Sequence, residues 1–178
     1  MVIRIGVTGH TRLPRPTASR IRLGLSSIFA RYDAIHGVTC LAEGADQIFA
    51  EAVLARGGSF DVIMPAANYR AAAVRHANRR RFDALIGSAR RVVSMPFERS
   101  GDEAFAAANE VLVGRIDRLI AVWDGVVDDR PGSTTHAVAQ AEIASVPVTR
   151  LWPVGARRLH RPSEPVPATG VGLMTAVS

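Results

Sequence analysis

Asp117-Arg-Leu-Ile-Ala-Val-Trp-Asp124-Gly125 is an apolar run that ends in Asp-Gly, and Gly132-Ser-Thr-Thr-His136-Ala-Val-Ala-Gln-Ala141 opens an Ala-rich segment a short polar loop later. The first reads as a buried strand and the second as a helix start, the order of a βαβ half-unit. The first N–H groups of a helix have no intrahelical partner, and small hydroxyl residues let an anion come close to them. Gly132, Ser133, Thr134 and Thr135 are therefore candidate ligands for a phosphate. Asp124, at the strand end, is placed to receive a sugar or base and is a candidate catalytic carboxylate.

The same rhythm extends in both directions. Strands are expected over residues 2–8, 38–42, 60–64, 91–95, 118–123 and 147–152. Helices are expected from a cap at Thr17 or Ser19 to about Tyr32, from a cap at Asp46 to Gly57, from Tyr69 to Ser88, from Asp102 to Gly114 and from Ser133 to Ser145. Strands alternating with helices imply right-handed crossovers, and the nearly unbroken apolar strands imply cover on both faces. The fold class is α/β: a single doubly wound Rossmann-like domain, with a mainly parallel sheet of about six strands and helices on both faces, over residues 1–156. Residues 157–178, rich in Pro and Gly, read as a disordered tail.

In an open parallel sheet, ligands bind beyond the carboxyl ends of the strands. Two further loops belong to that rim. Gly9-His10-Thr11-Arg12 follows the first strand, and Arg12 can grip a phosphate bidentately. Glu43-Gly44-Ala45-Asp46 follows the second, where Glu43 can hold ribose hydroxyls while Gly44 and Asp46 also suit a turn and a helix cap. The first loop lacks the third glycine of Gly-x-Gly-x-x-Gly, so the ordinary dinucleotide fingerprint is missing.

Composition removes several function classes. All 22 cationic side chains are arginine, which excludes a Walker lysine and any lysine Schiff base. The single cysteine, Cys40, permits neither an intrachain disulfide nor a Cys-rich metal site, and the five histidines show no ligand spacing, so no metal is expected. No Gly-x-Ser-x-Gly elbow occurs. No signal peptide or membrane-length apolar run is visible, so a cytoplasmic protein without membrane association is expected. The net charge of +6 and the arginines at 70, 75, 79, 80 and 81 invite a nucleic-acid reading, but stacking aromatics are sparse there, and nucleic acid is not expected as a partner.

With these loops in hand, the chain resembles the SLOG superfamily, which unites Lonely Guy phosphoribohydrolases, DprA/Smf DNA-processing proteins and stand-alone nucleotide sensors. The likeness rests on Ile5-Gly-Val-Thr-Gly-His10, Leu41-Ala-Glu-Gly-Ala-Asp46, and Ala121-Val-Trp-Asp-Gly125 with Gly132-Ser-Thr-Thr-His136, and covers residues 2–152. It is closest in flavour to the bacterial sensor-like branch. It implies a nucleoside monophosphate or an ADP-ribose- or NAD-like ligand as a bound nucleotide, no required cofactor, and a homo-oligomer, dimer or higher. Lonely Guy enzymes carry Pro-Gly-Gly-x-Gly-Thr-x-x-Glu; here Ser133-Thr134-Thr135 follows Pro131-Gly132, and Ala137 and Val138 stand where the glutamate is expected. Three functions stay open: a nucleotide-binding sensor, an N-glycosidic hydrolase using Glu43, Glu98 or Asp124, and DprA-like binding of single-stranded DNA.

Overall fold

Six parallel strands form one sheet in the order β4-β3-β2-β1-β5-β6. The structure, a computed structural model, describes residues 1–159; residues 160–178, most of the expected tail, lie outside the described residues. The strands are β1 Val2–Gly9, β2 Ala34–Thr39, β3 Ser59–Met64, β4 Arg91–Ser94, β5 Arg118–Val122 and β6 Val148–Arg150. The helices are α1 Arg15–Phe29, α2 Ala45–Ala55, α3 Tyr69–Ala72, α4 Arg79–Ser88, α5 Asp102–Val113 and α6 Thr134–Ile143. Among the described residues no helix is long and apolar enough to cross a membrane.

Period-two alternation explains the two covered faces. Ile5, Val7, Phe60, Val62, Ile120 and Val122 join the core under α1, α2 and α4, whereas Val38, Ile63, Leu119 and Ala121 join the core under α5 and α6. Phe29 of α1 meets Phe49 of α2 edge-on, centroids 5.7 Å apart, and both are buried. Each such burial stabilises the fold by about 1.5–3 kcal/mol.

Several element boundaries differ from the expected ones. β2 begins at Ala34 because Val2 to Gly6 of β1 pair in register with Ala34 to Val38. It stops at Thr39 because Leu41 takes a positive φ of 58°. α1 begins at Arg15, before the expected cap, because Pro14 and Pro16 suit its start, where first-turn N–H groups are unpaired in any case. Thr17 is not the cap: its hydroxyl donates to Arg157 O and accepts from Arg157 N, both at 2.9 Å. Leu159 N donates to Arg12 O at 3.0 Å, so ordered structure continues past the expected boundary at 157.

The expected helix 69–88 is broken. Residues 73–75 leave the helix, and a 3-10 turn, His76–Asn78, precedes α4. Burial decides this. Val74 packs inward, and Asn78 forms a reciprocal amide pair with the fully buried Gln47 of α2, at 2.8 and 3.1 Å. A buried amide left unpaired costs more than one turn of helix contributes.

Candidate functional site

The strand order reverses at β1, whose neighbours are β2 and β5, so the crevice between the ends of β1 and β5 is where such a sheet accepts a ligand. His10 leaves β1 there and Asp124 leaves β5. His10 N donates to Val122 O, and His10 Nε2 lies 3.1 Å from Asp124 Oδ1. Trp152 packs edge-on against the imidazole, centroids 5.2 Å apart. Burial lowers the His10 pKa; Asp124 opposes this and Arg158 reinforces it, leaving the ring below the ordinary histidine value.

A cleft of about 540 Å³ opens above this crevice. Gly9, His10, Thr11 and Arg12 line it from the first loop, Glu43 from the second, and Gly132, Ser133 and Thr134 from the third. The three loops singled out in the sequence thus meet at one cleft. Four arginines, Arg12, Arg75, Arg130 and Arg158, stand in its lining against two carboxylates, Glu43 and Asp128. Arg130 and Arg158 were not recognisable as lining residues, and Arg75 could not be told from the other arginines of its segment, some of which could face a ligand's phosphates. Arg75 lay in an expected helix, Arg158 in an expected tail, and Arg130 beside Pro131 carried no motif.

The hydroxyl cluster divides its labour. Ser133 is a plain N-cap for α6: its Oγ accepts from His136 N at 3.1 Å and donates to Asp128 O at 2.7 Å. Thr135 Oγ1 accepts from Asp128 N at 3.0 Å. These two hydroxyls fix the loop. The Thr134 hydroxyl and the N–H groups of Thr134 and Thr135 make no hydrogen bond among the described residues, and Thr134 lines the cleft. Gly132, at φ +77°, packs so closely on Phe105 of α5 that a Cβ there clashes, and Asn109 Nδ2 donates to its carbonyl at 3.3 Å. Arg130 binds the Asp128 carboxylate at 2.6 Å, and this pairing is the main reason its pKa falls to about 2.

The second loop contributes shape and charge rather than backbone donors. Gly44, at φ +96°, is the N-cap of α2, and Ala45 N donates to His10 O at 3.1 Å, so the first loop occupies this helix start. Asp46 is not the expected cap. It is buried, and its Oδ2 accepts from Thr39 Oγ1 at 3.0 Å and Ala42 N at 3.3 Å. Burial raises its pKa to about 6 against those hydrogen bonds. It lines a smaller recess of about 160 Å³, with Cys40, Tyr69, Phe105 and Asn109, that adjoins the cleft at Gly9, Gly132 and Thr134.

The three candidate catalytic carboxylates are not equally placed. Glu43 is held by both Nε and Nη2 of Arg75. Asp124 is engaged by His10, by Arg158 at 2.9 Å and by Val126 N at 3.0 Å. Burial raises its pKa, but those partners outweigh it and hold the carboxyl below its ordinary range. Glu98 is exposed and lines neither the cleft nor the recess. The basic segment is largely neutralised internally: Arg70 pairs with Asp83 at 2.6 Å, Arg81 with Glu51 at 2.6 Å, and Arg75 with Glu43. Among the described residues no group of acidic, His or Cys side chains is arranged to hold a metal.

Three solved structures resemble this fold. DNA processing protein A from Streptococcus pneumoniae aligns with a TM-score of 0.64 at 21% identity, over 84% of this chain and 50% of that one. DNA processing protein A from Helicobacter pylori, described for its single-stranded DNA binding mode, gives a TM-score of 0.60 at 14% identity over 88% and 68%. The molybdenum cofactor binding protein from Rippkaea orientalis gives 0.56 at 19% over 84% and 76%. This chain therefore spans about half the length of the S. pneumoniae protein. No family model and no curated protein matches the sequence. The expectation against nucleic acid gains no support from these likenesses. What they establish is the fold: this chain has the Rossmann-like architecture of DNA processing protein A, the one its resemblance to the SLOG superfamily implied.

Proposed function

We propose that the chain is a nucleotide-binding module that holds a nucleoside monophosphate, ADP-ribose or NAD-like ligand at the carboxyl edge of its sheet. One observation carries this reading: Thr134, whose hydroxyl and N–H at the start of α6 make no hydrogen bond among the described residues, lines the same cleft as Arg12. A helix start offers an anion about 0.3–1 kcal/mol, more where partly buried, and an arginine adds a charge-assisted bond. Retention of the ligand rather than its hydrolysis is favoured because Glu43 and Asp124 are each engaged by arginine and Glu98 stands outside the cleft.

The test is a thermal-shift panel of AMP, ADP-ribose, NAD and cyclic nucleotides. A ligand at one hundred times its Kd stabilises the fold by about 2.7 kcal/mol, which a melting curve resolves. We expect at least one phosphate-bearing compound to raise Tm, and Thr134→Val with Arg12→Ala to remove the shift. Well-folded protein that responds to none of them would sink the proposal.

A further inference from the structure

The cleft has a neighbour. A second cup of about 400 Å³ is lined by Arg12, Arg22, Arg75 and Arg81, with Leu13, Ala18 and Ile48 as an apolar floor. Thr11, Arg12, Glu43, Arg75 and Leu159 line both spaces, so the Glu43–Arg75 pair forms the saddle between them. Glu51 lies outside this cup yet positions two of its arginines, Arg22 at 3.2 Å and Arg81 at 2.6 Å. Donors remain unused. Arg81 Nη2 is buried with no hydrogen-bond partner, and Arg12 makes no ion pair among the described residues. Guanidinium groups gathered beside an apolar floor suit a group with a flat apolar body and an anionic edge, that is, a second nucleotide unit.

We propose that this cup is a second phosphoryl subsite and that the ligand is a linear dinucleotide, one phosphate at Thr134 and Arg12 and the other at Arg22 and Arg81, with Arg12 on the wall the two spaces share. The inference rests on the phosphate reading of the first cleft. A mononucleotide leaves the second set of donors unmatched. A long single strand finds no Phe, Tyr or Trp in either lining on which to stack successive bases.

Calorimetric titration of the full chain with AMP, with the 5′-phosphorylated diadenylate pApA and with a longer oligodeoxyadenylate tests this. pApA is expected to bind about tenfold tighter than AMP, the gain of one charge-assisted contact at a half-exposed site. Arg81→Ala should weaken pApA by about tenfold and leave AMP within about twofold. Glu51→Gln releases Arg22 and Arg81 and should move pApA in the opposite direction, a response that general loss of structure does not produce. If AMP binds but pApA gains nothing, or if Arg81→Ala weakens both alike, the second subsite is refuted and the first reading stands. A longer strand binding far more tightly than pApA overturns the proposal in favour of a nucleic-acid track. Binding of none of the three refutes the dinucleotide, and the reading of the first cleft is then decided by ADP-ribose and NAD in the thermal-shift panel.

Discussion

Asp46 allows a sharp test of how the recess is built. Its carboxyl is buried, and burial raises its pKa from 3.8 to about 6. Below the unfolded-state value both states are protonated and the fold carries no penalty. Between the two values the native state keeps a proton that the unfolded chain has released, so stability falls as pH rises, and the loss is complete above the folded value. A displacement of about two units at 1.36 kcal/mol each amounts to about 3 kcal/mol, or roughly 6–12 °C in Tm for a domain of this size. Asp46→Asn does not titrate, and its amide oxygen can still accept from Thr39 and Ala42. Urea unfolding of both proteins across mildly acidic to neutral pH isolates the contribution, because groups common to both cancel in the difference. The variant is expected to gain about 3 kcal/mol on wild type as pH rises from about 4 to about 7, whatever its offset at either end. A difference that stays flat across this window would show that Asp46 is hydrated, and the account of the recess would be wrong.

Three further outcomes separate structural from ligand-facing roles. Ser133→Ala removes the α6 cap and should lower urea stability by about 1 kcal/mol. Thr134→Val removes a hydroxyl that bonds nothing in the fold, so stability should change by less than about 0.5 kcal/mol while any AMP-induced Tm shift falls; a stability loss equal to that of Ser133→Ala contradicts the division of labour. Gly44→Ala forces a side chain at φ +96° against His10 O, and equilibrium unfolding should show a loss on the order of 1–3 kcal/mol.

The parallel sheet was legible because Val, Ile and Leu runs recur at βαβ spacing, and such runs belong to strands covered on both faces. β2 was read late because its first half, Ala34-Ile-His-Gly37, has little apolar content; His36 is buried there through Ser59 at 2.9 Å and Asp61 at 3.3 Å, contacts that only the folded sheet creates. The three rim loops stood out because glycine, hydroxyl and charged residues interrupt otherwise apolar stretches. Which hydroxyl serves the fold and which lines the cleft was not legible, since Ser133, Thr134 and Thr135 differ only in what lies across from them. The break before α4 was hidden for a similar reason: local propensity favours helix through 73–75, and the Gln47–Asn78 pair that opposes it joins residues far apart in the chain.

The middle position of β1 has a mechanical corollary. It hydrogen-bonds to β2 on one side and β5 on the other, whereas β4 and β6 each have a single neighbour. Local unfolding begins where backbone pairing is one-sided and reaches the doubly paired strands, β1 among them, later. The Gly9–His10 base of the cleft therefore ends a strand paired on both sides, while Arg75 and Arg158 reach the cleft from irregular segments. The cleft thus has a doubly braced floor beneath an arginine rim carried on irregular segments.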